Sequence, residues 1–401
     1  MGVARYEIHR GRTNELERTG TGTATITMVD LNGSLDPSSG SSFYSPSAPV
    51  AIALHNPVTS TDHQIYGGKI NRWGYELYPT ERYGIATLEC VDGMSILANA
   101  MLKTQTHGDP SAVAYYDGNV VYDLDTQADH RIIHALNDAQ WPLGMREIFT
   151  GNVRVKRKFY SGQGTPILNV ITDAADSEWP GVANFFFDKR NWATFHGRLA
   201  RFNPTEPSYR INTWRVGDVA AVTADATRAP YFAIDYDEDD ARVINDAVAY
   251  PDGIKAKHMP AQHVRDAGSI ATFGTRSWSA ENLLTQHGNL TGNNARDETR
   301  LFAEYYVNNF SDTSVRVNRI QFKTVHPSHP WAARVWALMC GIDISDRIQI
   351  TATHHDGASG FNEYTGFVEG LHYTVLPLNE TFMDVTLDVD LSPAANWTSL
   401  P

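Results

Sequence analysis

The sequence predicts a mixed α+β protein dominated by β structure, with duplicated antiparallel β-barrel domains at the two ends and mixed α/β domains inserted between them. Three observations lead to this fold class. The chain has 401 residues, more than one core usually holds, so several domains are expected. Segments near both ends alternate apolar and polar residues, which is the period of a half-buried strand. Residues 363–390, EYTGFVEGLHYTVLPLNETFMDVTLDVD, echo residues 64–92, QIYGGKINRWGYELYPTERYGIATLECVD.

The echo keeps a constant spacing of 298 residues, measured from Gly68 to Gly366. Other positions matched at this spacing are Trp73 with Leu371, Tyr75 with Tyr373 and Pro79 with Pro377. In the next strand a spacing of 299 residues aligns Thr87 with Thr386, Leu88 with Leu387 and Glu89 with Asp388. Both copies therefore predict the same hairpin, and the alternative is two unrelated hairpins of similar composition.

The flanking segments extend each hairpin into a module. In the first copy, TGTATITMVDLNGSLDP predicts a strand that ends at the turn formers Asn32 and Gly33. In the second copy, SVRVNRIQFKTVHPSHP predicts a strand, and WAARVWALMC predicts a short helix that ends at Gly341. Two copies around a long unrelated middle indicate a duplicated domain and exclude a solenoid.

The middle of the chain mixes helices and strands. ADHRIIHALNDAQWP predicts an amphipathic helix that Pro142 ends, and ILNVITDAADSEW and NARDETRLFAEYYVNNF predict two more helices. GNVRVKRKFY and ANFFFDKRNWATFHGRLARF predict strands. The predicted domains are 1–105, a first β-barrel; 106–204, a middle α+β domain; 205–300, a second middle segment; and 301–401, a second β-barrel.

Composition excludes several classes of protein. The formal net charge of −13 argues against a general nucleic-acid binder, which would show a basic surface. The two cysteines, Cys90 and Cys340, exclude a disulfide framework and are expected to pack as small apolar residues. No apolar run is long enough to cross a bilayer, and MGVARYEIHRGR lacks the apolar core of a secretory signal. We therefore expect a soluble protein.

A set of motifs runs along the chain. The first are RGRTNELERTGTGTATITMVDLNGSLDP, IYGGKI and LECVDGMSILA. The middle ones are HRIIHALNDAQWPLGMREIFTGN, FFFDKRNWATFHGRLARF and ATFGTRSWSAENLL. The last are GIDISDRIQI and FVEGLHYTVLP. These patterns cover nearly the whole chain, although each is diffuse, and together they resemble the minor tail proteins of siphophages, of the tail-tip or baseplate hub type.

The resemblance implies a structural protein of the virion, made in the host bacterial cytoplasm, with no enzymatic activity and no cofactor. Similar hubs are trimers whose two tube-like barrels per chain form a ring of six. Such a ring joins the sixfold tail tube to a threefold tip and lets DNA pass. The implied partners are other copies of the chain, the distal tail protein or tail tube, further tip proteins or fibres, and the tape-measure protein. An acidic bore would keep passing DNA from sticking.

Within this interpretation the paired hairpins are the expected contact surfaces between barrels. The residues expected at these interfaces are Trp73, Tyr75, Leu371 and Tyr373. Trimer and hexamer both fit a ring, but the duplication favours three chains.

A cell-wall hydrolase is the first alternative. His130 and His134 stand one helical turn apart and could bind zinc, but the glutamate of a metalloprotease helix is missing. HHDGASG, residues 354–360, is expected to be a hairpin loop. The oxygens of DLNGSLD, residues 30–36, could bind calcium, but a tight turn is the simpler interpretation because the glycine is too early for an EF-hand. No catalytic or metal-binding residue is therefore assigned.

A receptor-binding or carbohydrate-binding tail protein is the second alternative. The 9 Trp and 18 Tyr residues could stack on sugars. Many of them stand at alternating strand positions, where core or interface packing explains them. A sugar-binding surface would be expected in the middle segment.

Overall fold

The computed structural model describes sixteen stretches of the chain. They are residues 2–39, 45–80, 83–102, 113–116, 119–122, 126–155, 158–161, 164–179, 182–201, 211–238, 241–252, 263–284, 294–313, 315–353, 360–377 and 383–393. Of the described residues, 46% lie in strands and 23% in helices. This confirms the predicted α+β class with β dominant.

The strands are β1 (Gly2–Gly11), β2 (Thr23–Asp30), β3 (Pro49–Asn56), β4 (Thr61–Tyr78), β5 (Tyr83–Val91), β6 (Val113–Tyr116), β7 (Asn119–Tyr122), β8 (Thr126–Gln127), β9 (Arg146–Ile148), β10 (Arg154–Val155), β11 (Lys158–Ser161), β12 (Asn184–Phe187), β13 (Ala193–His196), β14 (Thr213–Gly217), β15 (Ala229–Pro230), β16 (Ala233–Asp237), β17 (Asp246–Pro251), β18 (His263–Arg265), β19 (Ser277–Leu283), β20 (Arg316–Lys323), β21 (Arg347–Thr353), β22 (Phe361–Pro377) and β23 (Met383–Pro393). The α-helices are α1 (Gly93–Asn99), α2 (Ala128–Asp138), α3 (Ile167–Asp176), α4 (Val219–Ala224), α5 (Ala267–Phe273), α6 (Asn294–Phe310) and α7 (Ala332–Gly341). Two short 3₁₀ helices are Pro37–Ser39 and Leu143–Met145.

One large sheet contains strands from both ends of the chain. Its main path is β15-β14-β21-β22-β1-β2-β5-β4-β3, and β23, β20 and β16 extend it from β22. The same strand order occurs twice within it. In the N-terminal unit, defined as β2 to β5, the order is β2-β5-β4-β3, and in the C-terminal unit, defined as β20 to β23, it is β20-β23-β22-β21. The repeated sequence therefore forms a repeated pairing pattern.

An irregularity is repeated as well. Asn71 is an extra residue in β4 where it pairs with β5. Glu369 is an extra residue in β22 where it pairs with β23. These two β-bulges stand 298 residues apart, the spacing that the sequence predicted. Because a bulge bends a strand and increases its local twist, the two units bend at corresponding positions.

The second spacing predicted from the sequence is wrong by two residues. Trp73 lies opposite Leu88. Its counterpart Leu371 lies opposite Val389, so Leu88 corresponds to Val389 and the predicted match with Leu387 is displaced. A shift of two residues leaves every side chain on the same face of the sheet. The alternation of apolar and polar residues was therefore unable to reveal the error.

The predicted helices are confirmed, although α2 ends at Asp138, four residues before the predicted stop at Pro142. Helix α2 buries Ile132 and Leu136, and it ends before Gln140, which has a positive φ of 56°. Helix α6 spans the whole predicted segment. Helix α1 begins after Asp92, whose side chain accepts a hydrogen bond from Met94 N at 3.0 Å and caps the helix.

Among the described residues, three groups of buried apolar side chains hold the elements together. The first lies along the large sheet and includes helix α7, whose Trp336 is fully buried and donates from Nε1 to Val325 O at 3.1 Å. The second joins α1, α2, α3, β12 and β13. The third packs α6 against β17 and β19. The division of the chain at residues 105, 204 and 300 remains a prediction, and strands β14, β15 and β16 of the third segment pair within the large sheet.

Candidate functional site

The two units are joined by the first strand of the chain. Strand β1 pairs with β2 of the N-terminal unit on one edge and with β22 of the C-terminal unit on the other, antiparallel in both cases. Tyr6 lies opposite Val375, and Ile8 lies opposite Tyr373. Strand β1 therefore makes one continuous hydrogen-bonded sheet out of the two units, and we name this contact the intrachain junction.

A buried ionic cluster supports the intrachain junction. Glu369, the bulge residue of β22, is fully buried and accepts a hydrogen bond from Arg12 Nε at 2.7 Å. Arg201, from the middle of the chain, donates to both carboxylate oxygens of Glu369. Ser392 Oγ donates to Glu369 Oε1 at 2.6 Å, and Arg201 Nη2 donates to Ser345 Oγ at 3.0 Å. One carboxylate thus ties three distant segments of the chain together.

The charges of this cluster determine the protonation of Glu369. Burial by itself would raise the pKa of Glu369, but the positive charges of Arg12 and Arg201 outweigh it and lower the pKa to about 2. A lowered pKa means that the ionised side chain stabilises the folded state at every pH above its ordinary value of 4.5. That contribution decreases progressively as the pH falls from about 4.5 to about 2.

Two further contacts lie at the same place. Arg10 Nη2 donates to Asp343 Oδ1 at 2.7 Å and to Phe187 O at 3.0 Å. The rings of His9 and His372, which face each other across the junction, stack with centroids 4.5 Å apart. The junction is therefore fixed by side chains as well as by its backbone hydrogen bonds.

A buried histidine beside this cluster makes folding sensitive to acid. His196 on β13 is 5% exposed and packs near Phe149 and Phe186, with ring centroids at 4.9 and 5.3 Å. Burial, reinforced by the charge of Arg201, lowers the pKa of His196 to about 3. The unfolded chain binds the proton below about pH 6.5 and the folded chain does not. The free energy of unfolding therefore decreases as the pH drops from 6.5 to 3.

We expect His196→Gln to remove this part of the acid sensitivity. Between pH 6.5 and pH 5, each pH unit costs wild type up to about 1.4 kcal/mol through this one group. Urea denaturation at the two pH values should therefore show wild type losing about 2 kcal/mol more than the variant. Equal losses in both proteins would show that His196 binds its proton in the folded state.

The described chain leaves two strand edges open, one on β4 of the N-terminal unit and one on β16, the strand beside β20 of the C-terminal unit. On β4, residues Gly74–Leu77 pair with β5 on one edge, and no described strand pairs with the other edge. Strand β16 pairs only with β20 among the described strands. Leu77 is 57% exposed, whereas its counterpart at the intrachain junction, Val375, is fully buried. Exposed strand edges readily pair with another chain.

The four residues predicted at interfaces differ in burial and in location. Leu371 and Tyr373 are buried at the intrachain junction, where Tyr373 also donates its hydroxyl to Met339 O at 2.9 Å. Trp73 and Tyr75 are half-buried on β4, and the Tyr75 hydroxyl donates to Asp30 Oδ2 at 3.2 Å.

The residues considered for a metal site or for catalysis either have other structural surroundings or lie outside the described residues. His130 is exposed on α2 and lies 3.9 Å from Asp129 Oδ2, while His134 is half-buried. Asp30 accepts backbone hydrogen bonds from Asn32, Ser34 and Leu35, as in a tight turn. In the described part of the chain, no group of three or more His, Cys, Asp or Glu side chains could hold a metal ion. The loop from residue 354 to 359 lies outside the described residues.

Cys90 and Cys340 are both buried thiols. Burial raises the pKa of each to about 11. They pack in the core of the large sheet, as the sequence predicted. None of the described helices is long and apolar enough to span a membrane.

Sequence reasoning missed the joining role of β1 and the whole ionic cluster. The alternation in RYEIHR was a signal for a strand, but alternation does not identify a partner strand. The charged residues Arg12, Arg201 and Glu369 gave no signal, because such side chains are mostly exposed and are buried only when paired.

No protein-family model matches the sequence, and no curated protein is detectably similar to it. Solved structures are similar. The tail protein from Neisseria meningitidis MC58 aligns with a TM-score of 0.54 at 10% identity, over 99% of this chain and 94% of that one. The 43 kDa tail protein of prophage MuSo2 from Shewanella oneidensis aligns with a TM-score of 0.51 at 10% identity, over 100% of this chain and 96% of that one.

Both alignments extend over almost the full length of each pair of chains, so the likeness concerns the whole fold. At this low identity it is a likeness of fold alone. It confirms, at the level of the fold, the resemblance to tail proteins that the sequence motifs indicated. This chain has the fold of these two tail proteins.

Proposed function

We propose that the protein is a structural component of a phage virion, the hub of the tail tip, and that three copies form a ring of six similar units. The observation that carries this proposal is the repeated unit. One chain holds two units of the same strand order, and its first strand joins them head to tail. A head-to-tail contact is heterologous, and repeating it generates a closed ring when the rotation per step closes.

The fold and the open edges support the same proposal. The chain has the fold of tail proteins, and the open edges of β4 and β16 would be covered in an assembly. The contact residues that we propose are Leu371 and Tyr373 between units of one chain, and Trp73 and Tyr75 between neighbouring chains. The duplication would let a threefold hub bind a sixfold tail tube or distal tail protein above it. Further tip proteins, fibres and the tape-measure protein are the other proposed partners.

Passage of DNA through the ring is part of this proposal. With a formal net charge of −13, the ring would repel the phosphate backbone instead of holding it. We expect no retardation of duplex DNA by the assembled protein in a gel at low salt. Retention of DNA under these conditions would contradict a non-adhesive bore. We assign no catalytic step to the protein.

The mass of the protein in solution tests the hub directly. Light scattering across a range of concentrations should give the mass of three chains, each of 44.5 kDa. Negative-stain class averages of the same sample should show a threefold ring with six similar lobes. A mass of six chains would favour a hexameric ring. A monomer at every concentration would contradict the proposed ring.

A further inference from the structure

We infer that β16 of one copy pairs with the open edge of β4 in the next copy, in the register that β1 and β22 use within one chain. This inference rests on the proposed ring and adds the strands and the register that build it. The occupant of the open edge is a second copy of this chain. Its strand β16 is the counterpart of β1, and the strand pairings within the two units establish that correspondence in two steps.

The first step matches the central strands of the two units. Trp73 lies opposite Leu88, and the next strand places Ile26 beside Leu88. In the C-terminal unit, Leu371 lies opposite Val389, and Ile320 lies beside Val389. Ile26 and Ile320 therefore hold the same position in the two units.

The second step matches the outer strands. Tyr6 of β1 lies opposite Ile26, and Ile234 of β16 lies opposite Ile320. Tyr6 and Ile234 are therefore counterparts, and both strands run antiparallel to their neighbours. Strand β1 uses its second edge to bind β22, and no described strand pairs with the second edge of β16. That edge can therefore bind the counterpart of β22, which is β4.

The intrachain junction then sets the register. Tyr6 lies opposite Val375, and the counterpart of Val375 at the spacing of 298 residues is Leu77. Ile234 of one copy should therefore lie opposite Leu77 of the next. The remaining pairs in this register are Asp235 with Glu76, Tyr236 with Tyr75 and Asp237 with Gly74.

Exposure agrees with this arrangement. Ile8, two residues after Tyr6 on β1, is fully buried at the intrachain junction, whereas Tyr236, two residues after Ile234 on β16, is 40% exposed. The neighbouring strand β20 has an extra residue, Asn318, at this step. On the other strand, Leu77 is 57% exposed and its counterpart Val375 is fully buried. The same positions are thus buried where the junction exists within the chain and exposed where it would require a second chain. The apolar pair of Ile234 and Leu77 would bury side chains that water now contacts.

The register also contains one unfavourable contact. Asp235 faces Glu76, and like charges directly opposite each other destabilise a strand pair. At the intrachain junction the corresponding pair is Glu7 with Thr374, which has no such repulsion. The contact between chains is therefore weaker than the contact within the chain. Assembly should depend on protein concentration for this reason.

Disulfide trapping tests the register. We would make the double variant Asp235→Cys and Glu76→Cys, both at exposed positions, and oxidise it with oxidised glutathione. In the inferred register the two thiols face each other at a distance that a disulfide can span. Non-reducing gels should show covalent dimers and trimers, which a reductant returns to single chains.

Two matched variants control this experiment. Glu7→Cys with Thr374→Cys places the same geometry within one chain and should give an internal disulfide without higher bands. Asp235→Cys with Arg72→Cys keeps the face of the strand but moves the thiol by four residues, about 13 Å, too far for a disulfide. Equal trapping by this shifted pair would overturn the inferred register.

A second variant tests the contact without cysteine chemistry. Glu76→Thr copies the residue at the intrachain junction and removes the repulsion from Asp235. We expect the dissociation constant of the ring to fall about twofold to fivefold per contact, measured by light scattering on dilution.

The outcomes separate this inference from the proposed ring. A threefold particle without trapping at positions 76 and 235 would leave the ring standing and overturn the strand pairing. A monomer in every sample, with no trapping, would contradict both. Trapping in the matched pair together with a threefold particle is the result that we expect.

Discussion

Replacing Glu369 with glutamine is expected to lower the free energy of unfolding by about 3–5 kcal/mol, the range for breaking a buried ion pair from one side. The variant keeps the shape of the side chain but leaves Arg12 and Arg201 buried beside a neutral amide. Both arginines now donate to the Glu369 carboxylate, and neither gains water as a replacement at this depth. Urea denaturation followed by tryptophan fluorescence measures the loss.

The N-terminal unit supplies a matched control. Asn71 occupies the corresponding bulge of the corresponding strand, β4, but is exposed. Asn71→Ala should therefore change stability by less than about 0.5 kcal/mol, as exposed substitutions usually do. A loss below 1 kcal/mol for Glu369→Gln would show that the cluster is open to water and does not secure the intrachain junction.

Replacing Gly11 with alanine is expected to destabilise the protein by about 2–5 kcal/mol, the sum of two separate costs. Gly11 has a φ of +92°, which residues with a Cβ rarely adopt. A Cβ at this position would also stand 2.1 Å from Glu369 O, far inside the contact distance. Because Arg12 N donates to that same oxygen at 2.9 Å, the clash would open the end of the intrachain junction. Thermal denaturation and urea denaturation both measure the effect.

Gly33→Ala isolates the first of the two costs. Gly33 has a φ of +74°, and a Cβ there meets nothing within 4 Å. We expect this control to lose only about 1–2 kcal/mol, the cost of the backbone conformation. Equal losses at the two glycines would contradict the close approach of β1 to β22.

The local pattern of apolar and polar residues was sufficient to predict the helices and strands of the fold. The periodic apolar residues of α2 and α6 predicted both helices, since a helix must bury one face along its length. The alternation in the two hairpins predicted β4, β5, β22 and β23 for the corresponding reason. The repeated motif also predicted the spacing at which the two bulges, Asn71 and Glu369, recur.

The local pattern of apolar and polar residues did not predict which strands pair or how deeply each side chain is buried. The sequence matched Leu88 of the first copy with Leu387 of the second, two residues from its true counterpart, Val389. The error arose because the alternation of apolar and polar residues repeats every two residues. The sequence predicted the equivalent positions Tyr75 and Tyr373 as interface residues. Tyr373 is buried within the chain, whereas Tyr75 is only half-buried. The two positions differ in burial because β1 pairs with β22, which carries Tyr373, and does not pair with β4, which carries Tyr75.

The sequence by itself determined that the chain is β-dominant, that it contains a repeated unit, and that its fold resembles that of tail proteins. Tertiary structure alone decided that β1 joins the two units and that Glu369 is a buried ion-pair partner. It also decided that no described strand covers the second edge of β16 or of Gly74–Leu77 on β4. The physical reason is that strands pair through backbone groups that every residue shares. The choice of partner strand therefore depends on the path of the whole chain, and the side chains record only which face is buried.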